Sequence, residues 1–337
     1  MERTMTGKTF WRDLRRTFST GDASSLLTVS TALVALIVFF SLASPYFFNT
    51  TVFLNIGLYA AIMGTLACSM TFINVSGNID ISGGSQIAIV GMVTAVLVRA
   101  GVLVRAGVPL WTCVAAGVLT GAVCGMLNGF FITVVKVNAF ITTIASMQMF
   151  RGIAYLISSG QTLVISDQSF KFIGRGYIGP IPFPLILLII FYVIFHFLSR
   201  HTVFGRTIYM IGGNPQASFL SGIKVQRTKF LLYTLNGLMA GIAGVMLASQ
   251  SGAGLPMAAP NTNMQALSAV ILGGAGLSGG RGTIVGTFIG VMVLCSLSTG
   301  MTMLSISSFW QDVIVGLVLL LSVSVDAIKS GSLKRKI

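Results

Sequence analysis

Charged side chains are scarce in this sequence. They make up 8% of its 337 residues, whereas hydrophobic residues make up 54%; soluble domains carry about 25% charged residues. A soluble fold would need polar surface to cover that much apolar material, and this chain does not have it. The scarcity excludes a soluble globular protein and predicts an integral membrane protein.

Groups for metal binding and acid–base chemistry are equally few. The two histidines, His196 and His201, have no carboxylate or cysteine at ligand spacing. Of the seven acidic residues, only Asp80 lies well inside an apolar stretch, so paired-carboxylate catalysis has no pair. The cysteines lie in apolar stretches without a C-x-x-C pair and are interpreted as small buried side chains: Cys68, Cys113, Cys124 and Cys295. We expect no catalytic residue, metal site or cofactor on this chain.

Nucleotide-binding motifs are missing or out of context. The phosphate-binding pattern G-x-x-x-x-G-K-[ST] occurs nowhere. The segment from Gly274 to Gly279 satisfies G-x-G-x-x-G, but no strand precedes it and no acidic residue follows about 20 positions later, as a dinucleotide site requires. We therefore do not expect this chain to hydrolyse ATP.

Long apolar stretches are what the sequence has in abundance. About 20 apolar residues of helix cross the hydrocarbon of a bilayer. The candidates are residues 26–44, 53–74, 79–98, 109–135, 139–158, 180–198, 230–250, 263–279, 282–304 and 309–326. The eighth is short and rich in glycine, and it enters the membrane without crossing it in one interpretation, so the count is eight to ten. We predict an all-α polytopic membrane protein with about ten transmembrane helices.

The basic residues predict the orientation of the chain. The net charge of +14 comes from short runs between apolar stretches and not from a stripe on one face, so it does not indicate a nucleic acid partner. With the N-terminus in the cytoplasm, most of the 21 bases fall inside, which predicts that both termini are cytoplasmic. The bases outside are Arg99, Arg105, Lys171 and Arg175. The predicted organisation is a tail at 1–25, a transmembrane domain at 26–326 with a cytoplasmic loop at 199–229, and a basic tail at 327–337.

Many of the 39 glycines lie inside apolar stretches at spacings of three and four. Two such sets are Gly237, Gly241 and Gly244, and Gly282, Gly286 and Gly290. These spacings place each set on one helix face, where small residues let neighbouring helices approach closely. The pattern predicts close helix packing, and helices that slide past each other are an alternative.

The predicted cytoplasmic loop contains a signal for a short helix. Asn214 and Pro215 are typical of an N-cap and a first helical position, and Gly222 of a helix end. The helix between them would be amphipathic and exposed. It would either lie on the lipid surface or dock a cytoplasmic partner.

Four stretches resemble one family. They are Ser44-Pro45-x-Phe47-Phe48; Asn78-Ile-Asp80-Ile-Ser82-Gly-Gly84-Ser85; Gly205 to Val225 with its Gly212-Gly213-Asn214; and Leu272-Gly273-Gly274 to Thr287. In this order and at these membrane positions, they resemble the permease subunits of ribose-type ABC sugar importers, which serve ribose, xylose, arabinose, galactose and autoinducer-2 uptake. The resemblance covers residues from about 44 to 326.

The resemblance implies a monosaccharide importer of the bacterial inner membrane. Its implied partners are a second permease copy, identical or not, a cytoplasmic ABC ATPase that binds ATP and Mg, and a periplasmic or extracellular sugar-binding protein. The implied contacts with the ATPase are Gly205, Arg206, Tyr209, Gly212, Gly213, Asn214, Ala217, Gly222 and Ile223. Gln216 and Phe219 stand where relatives commonly have charged residues, so docking would depend more on shape than on charge.

A sugar pathway must replace the hydrogen bonds of water with protein groups. Candidate pathway residues are Asp80, Ser82, Ser85, Gln86, Asn138 and Gln265. Asp80 and Ser82 fit a broken helix, or alternatively ordinary helix capping. Arg151 lies within a predicted span and either serves the pathway or extends to an interface. Asn128, Gln148 and Asn236 either contact sugar or hold helices together.

Four other functions are alternatives, and the sequence fits them unequally. An ion-coupled secondary transporter also needs many spans and a broken helix, although it would normally show several acids in the membrane. A permease for another solute, such as branched-chain amino acids, would share this architecture. A membrane enzyme would need paired acids, a histidine cluster or an activated nucleophile, and the sequence shows none of these. A structural scaffold would leave the pattern of the cytoplasmic loop unexplained.

Overall fold

The computed structural model describes residues 21–99 and 109–329, and the predictions for residues 1–20, 100–108 and 330–337 lie outside these ranges. The described chain forms helices α1 (Gly21–Ala43), α2 (Thr50–Val75), α3 (Gly83–Arg99), α4 (Leu110–Thr133), α5 (Ala139–Ser158), α6 (Gln168–Arg175), α7 (Phe183–His201), α8 (Val203–Gly213), α9 (Pro215–Leu220), α10 (Val225–Ser251), α11 (Thr262–Leu272), α12 (Ile284–Met303) and α13 (Ser308–Lys329). Two-residue strands β1 (Leu163–Val164) and β4 (Ala253–Gly254) form one antiparallel pair, and β2 (Tyr177–Ile178) and β3 (Ile181–Pro182) form another.

The predicted all-α polytopic architecture is confirmed. In the described chain, seven helices are long and apolar enough to cross a membrane: α1, α2, α4, α5, α7, α10 and α12. The shorter apolar helices are α3, α11 and the stretch Ser308–Leu321 of α13. The 11 residues of α11 span about 16 Å, roughly half the hydrocarbon thickness of about 30 Å. The eighth apolar stretch is thus a half-length helix followed by a glycine-rich loop.

Several of the helices begin where a side chain accepts hydrogen bonds from free backbone N–H groups. Asn49 caps α2, Asn138 caps α5 and Thr283 caps α12 in this way. At the other end of α10, Gly252 adopts the left-handed conformation with φ of 68° and closes the helix. These local signals set the lengths of the helices independently of their packing.

The centre of the bundle is formed by α2 and α10, and the outer helices leave apolar side chains exposed. Most of α2 is buried, and it contacts α7, α10, α11 and α12. By contrast, only 11% of the apolar stretch of α1 is buried within the protein. Exposed leucine and phenylalanine side chains on α1, α4, α7 and α13 fit contact with lipid tails.

Glycines bring the central helices into backbone contact, as their spacing predicted. A side chain at Gly237 would meet the carbonyl oxygen of Gly121 on α4, and one at Gly241 would meet the carbonyl oxygen of Val118. On α12, a side chain at Gly286 would meet the carbonyl oxygen of Gly273. The prediction of close packing is confirmed, because any Cβ at these positions would push the helices apart. The prediction that Gly282 shares a helix face with Gly286 and Gly290 is wrong, since α12 begins only at Ile284 and Gly282 lies in the preceding loop with φ of 137°.

The two short helices α3 and α11 begin beside each other inside the bundle. The Asn263 side chain of α11 donates to the carbonyl oxygen of Asp80, just before α3, at 3.2 Å. A side chain at Gly84 would meet the carbonyl oxygen of Ala259, just before α11. The chain therefore enters the bundle as irregular backbone at two places and continues from each as a short helix. The polar residues lie close together around these two helix starts.

Candidate functional site

Asp80 lies in the irregular segment between α2 and α3 and is fully buried. Its Oδ1 accepts hydrogen bonds from the backbone N–H of Ser82 at 2.8 Å and from the Ser82 hydroxyl at 2.5 Å. Its Oδ2 accepts from the Asn236 amide of α10 at 2.9 Å. All three donors are neutral, so the carboxyl group is held by dipoles and tied to a helix distant in sequence.

Ser82 lies at the centre of a group of polar side chains and links helices α3 and α4 directly. While its hydroxyl donates to Asp80, it accepts from the Gln86 amide of α3 at 2.7 Å and from the Asn128 amide of α4 at 2.8 Å. The Ser82 carbonyl oxygen also accepts the backbone N–H of Gln86 at 3.0 Å and so begins α3. Ser82 therefore caps a helix through its backbone and links helices through its side chain.

One face of α10 completes this network. The Tyr233 hydroxyl donates to the carbonyl oxygen of Ile79 at 2.9 Å, and the Lys229 ammonium donates to Asn78 at 3.2 Å. Asn236 also accepts from the Ser69 hydroxyl of α2 at 2.7 Å. We call Ser69, Asp80, Ser82, Gln86, Asn128, Tyr233, Asn236 and Asn263 the polar network.

The polar network is incompletely satisfied. Among the described residues, Gln86 Oε1 and Asn263 Oδ1 are buried without a donor. Buried acceptors without partners are uncommon in proteins and carry a desolvation cost. A water molecule or a rearrangement of these short helices would supply the missing hydrogen bonds.

The structure brings some of the predicted pathway residues together and separates others. Asp80, Ser82 and Gln86 share the polar network. Ser85 borders a cavity beside α5. Asn138 caps the start of α5, where its side chain accepts from the N–H of Phe140 at 2.9 Å, and half-buried Gln265 on α11 forms no side-chain hydrogen bond with the described residues.

Lys229 and Tyr233 carried a sequence signal that the motif analysis missed, on the same helix face as Asn236, which was already a candidate from the sequence. Lys229, Tyr233 and Asn236 are spaced by four and three residues, which places them on one face of a helix. A polar face on an otherwise apolar helix predicts that the face is turned inward. Ser69 gave no such signal, since serine is common at tight helix contacts.

The loop at 199–229, which we call the coupling loop, forms α8 and α9. The side chain of Asn214 accepts from the N–H groups of Gln216 and Ala217, both at 3.0 Å, and Gly222 has φ of 82° after the helix end. The predicted short helix is confirmed with its predicted cap. Phe219 and Leu220 are 68% and 79% exposed, which is unusual for large apolar side chains in a loop and typical of a contact surface.

The other predicted coupling residues divide into exposed and packed positions. Arg206, Gly213, Ala217 and Gly222 are exposed, and Ile223 is half-buried. Gly205 is buried where α8 turns back on α7, and a side chain there would meet the Leu198 carbonyl oxygen.

Tyr209 and Gly212 connect the coupling loop to the interior of the protein. The Tyr209 hydroxyl donates to the carbonyl oxygen of Gly282 at 2.8 Å. A side chain at Gly212 would meet the carbonyl oxygen of Val75, which itself accepts the N–H of Gly280 at 2.8 Å. We call this meeting of the end of α2, the end of α8 and the loop before α12 the glycine junction. Val75, at this junction, lies five residues before Asp80 along the chain.

Comparison of the sequence with known proteins identifies its family. A sequence model for the family described as branched-chain amino acid transport system / permease component matches residues 52–323. The chain belongs to this permease family. Within the described residues, no group of three or more histidine, cysteine or acidic side chains is placed to hold a metal ion.

Three relatives of the permease cover nearly its whole length. The ribose import permease protein RbsC of Bacillus subtilis is 40% identical over 301 residues, which are 89% of this chain and 92% of the relative. The L-arabinose ABC transporter permease protein AraH of Azospirillum brasilense is 35% identical, over 91% and 89%. The xylose transport system permease protein XylH of Haemophilus influenzae is 31% identical, over 88% and 94%. As a member of this family, the permease is a multi-pass inner-membrane protein and the non-catalytic component of its transport system.

Proposed function

We propose that this permease is the transmembrane subunit of an ATP-binding-cassette importer that carries a monosaccharide across the bacterial inner membrane. The observation that carries the proposal is the 40% identity, over about nine tenths of both chains, to a ribose import permease. Other relatives are named for arabinose and xylose, so a pentose or a similar small polyol is the expected class of substrate.

The chemistry of the buried groups supports a neutral substrate. The polar network is made of hydroxyl and amide groups around a single carboxyl group. A carrier driven by protons or sodium normally places several acidic groups in the membrane, whereas hydroxyls and amides exchange hydrogen bonds with an uncharged polyol. The energy for uptake would then come from ATP and Mg bound by a partner subunit.

The coupling loop has the features of a docking site for that ATPase. Exposed Phe219 and Leu220 offer an apolar contact on α9. No acidic residue occurs between 199 and 229, whereas Arg206, Lys224 and Arg227 are exposed there. The expected partner surface is therefore an apolar groove that fits the uncharged helix α9 by shape, with acidic edges that face the bases on either side of that helix. The proposal therefore includes the cytoplasmic location of the coupling loop and of both termini that the positive-inside rule predicts.

The glycine junction supplies a route from the docking site to the membrane interior. Movement of α9 and α8 would press Gly212 against the Val75 carbonyl oxygen, because the two are in contact. Val75 ends α2 and leads into the segment that holds Asp80. We propose that ATP binding by the partner moves this segment, and that two permease copies together with a sugar-binding protein complete the transporter.

Affinity purification from native membranes, followed by mass spectrometry, tests the docking assignment. We expect an ABC ATPase to accompany the permease, and Ala217→Trp to abolish its recovery and sugar uptake while the permease still accumulates in the membrane. Tyr177→Trp, at an exposed position in the β2–β3 hairpin, is the matched control and should retain the ATPase. Full recovery of the ATPase with Ala217→Trp would contradict the assignment.

A second candidate follows from the description of the matching family, which names branched-chain amino acids. Uptake of radiolabelled ribose, arabinose, xylose and leucine by cells with and without the permease distinguishes the two. Loss of uptake of one of the sugars alone would support the monosaccharide proposal, and loss of leucine uptake alone would support the alternative. Abolition of uptake by a protonophore at constant ATP would instead indicate ion coupling.

A further inference from the structure

A cavity of about 240 Å³ lies between α5, the start of α3 and the segment before α11. Ser85, Gln148, Arg151, Tyr155, Met257 and Pro260 line it. It adjoins the polar network, because Ser85 precedes Gln86 in α3. The cavity therefore lies where the two short helices begin, which is the place where discontinuous helices form binding sites in other transporters.

Several polar groups in this cavity have no partner. The Ser85 side chain is 2% exposed and lines the cavity, yet its hydroxyl forms no hydrogen bond with any described residue. Gln148 and Tyr155 also form no side-chain hydrogen bond within the described chain, and both are exposed. Gln148 is the tenth of the 20 residues of α5, and an amide at that position is costly in contact with lipid. This face of α5 is consequently turned to water and not to the bilayer.

Arg151 is a charged group on the same face of α5. One of its terminal nitrogens donates to the carbonyl oxygens of Pro256 and Ala258, both at 2.8 Å. These bonds fix the segment that forms the far wall of the cavity. The guanidinium has five N–H donors in total, so it retains further donors. Charged side chains inside membrane helices generally face the bundle interior or a water-filled cavity.

We propose that this cavity is the monosaccharide subsite of the translocation pathway. The inference rests on the proposed function and deepens it. Each sugar hydroxyl both donates and accepts a hydrogen bond, and Ser85, Gln148 and Tyr155 each do the same. No acidic residue lines the cavity, so it suits an uncharged polyol better than a cation. Met257 and Pro260 supply an apolar wall for the C–H face of the sugar ring.

The first test measures uptake by the intact transporter in membrane vesicles from cells that make it, with radiolabelled ribose, arabinose and xylose as probes. Gln148→Leu keeps the size of the side chain and removes its hydrogen bonds, and we expect it to lower the maximal uptake rate at least tenfold. Tyr155→Phe removes one hydroxyl and should lower the rate severalfold. Tyr59→Phe is the matched control on exposed α2 surface and should leave the rate unchanged.

The second test uses chemical labelling and does not depend on transport. The native cysteines are buried, whereas Met257 lines the cavity and is exposed, so Met257→Cys introduces an accessible thiol that a methanethiosulfonate reagent can report. We expect the transported sugar to slow its labelling at least threefold and not to slow labelling of Ser169→Cys, an exposed position on α6. A wild-type permease that imports none of the three sugars would overturn the proposed function and this subsite with it. Normal uptake by both α5 variants, together with no protection of Met257→Cys, would overturn the subsite alone.

Discussion

Asp80 illustrates how a single residue organises the interior of this permease. Its carboxyl group receives bonds from the Ser82 backbone, the Ser82 hydroxyl and the Asn236 amide. None of these three groups donates a hydrogen bond to another acceptor among the described residues. Removal of the carboxyl group therefore leaves three buried donors without an acceptor, and each unsatisfied donor costs about 1–3 kcal/mol.

We expect Asp80→Ala to lower the free energy of unfolding by about 3 kcal/mol or more, because all three donors lose their acceptor. Thermal unfolding of the purified protein in mild detergent measures this effect. Asp312→Ala is the matched control, since Asp312 is exposed and accepts one bond from the exposed side chain of Asn261 at 3.3 Å. Equal melting temperatures for the two variants would show that the carboxyl group does not stabilise the fold.

At this scale, the sequence predicted which residue types matter better than how they meet. Asp80 and Ser82 were recognisable because polar groups interrupt an apolar stretch. Their contacts with Asn128 and Asn236 join positions that are 46 and 156 residues apart. A periodic pattern reveals that a helix has a polar face, but the partner of that face depends on how the helices are packed.

At the scale of elements, the glycine junction connects the coupling loop to the end of α2 and to the loop before α12. The end of α8 touches the end of α2 through Gly212, whereas the neighbouring Gly213 has open space where a side chain would be. Tyr209 holds α8 to the loop before α12. Gly212 and Gly213 are neighbours in the same helix, and they differ in whether an added side chain would meet another atom. Substitutions at these two positions therefore compare a site of contact with a site of open space.

We expect Gly212→Ala to lower sugar uptake at least tenfold, because its Cβ would separate α8 from the Val75 carbonyl oxygen and disturb the route to Asp80. Gly213→Ala should retain uptake within about twofold, since the added methyl group meets nothing and alanine favours a helix by about 1 kcal/mol. Uptake per permease molecule in the membrane is the measurement. If both variants transport equally well, the junction does not transmit movement.

Element boundaries were predictable where local chemistry determines them. Asn214 and Gly222 delimited the short helix α9 because capping depends on nearby side chains. The start of α3 was not predictable in this way, since the apolar stretch continues through Asp80 while the helix begins only at Gly83. That boundary depends on bonds from α10 and α11, which hold the preceding segment as irregular backbone.

At the scale of the whole molecule, charge and apolar surface are separated. The outer helices expose apolar side chains, and the coupling loop carries basic residues without any acidic one. Attraction between this basic surface and an acidic partner would be reduced by salt, because the Debye length falls from about 10 Å at 0.1 M to about 3 Å at 1 M.

We therefore expect recovery of the ATPase with the permease to fall at least severalfold when purification is carried out at about 1 M instead of about 0.1 M salt. Replacing Arg206 and Lys224 together by alanine should weaken this salt dependence. Arg99→Ala, at an exposed site on the end of α3, should leave the dependence unchanged. An ATPase that stays bound equally well at both salt concentrations would indicate a purely apolar interface.

The amino-acid pattern alone specified the solvent and the class of fold, because composition and apolar length decide whether a chain enters a bilayer. The family was recognisable from the resemblance of four motifs. The sequence also determined α9, whose cap and end are local. The packing of the helices, by contrast, was needed to show that α3 and α11 begin together, that Ser82 links α3 to α4, and that Arg151 and Ser85 line one cavity. These features depend on contacts between residues far apart in the chain, and no local pattern specifies which helix faces will meet.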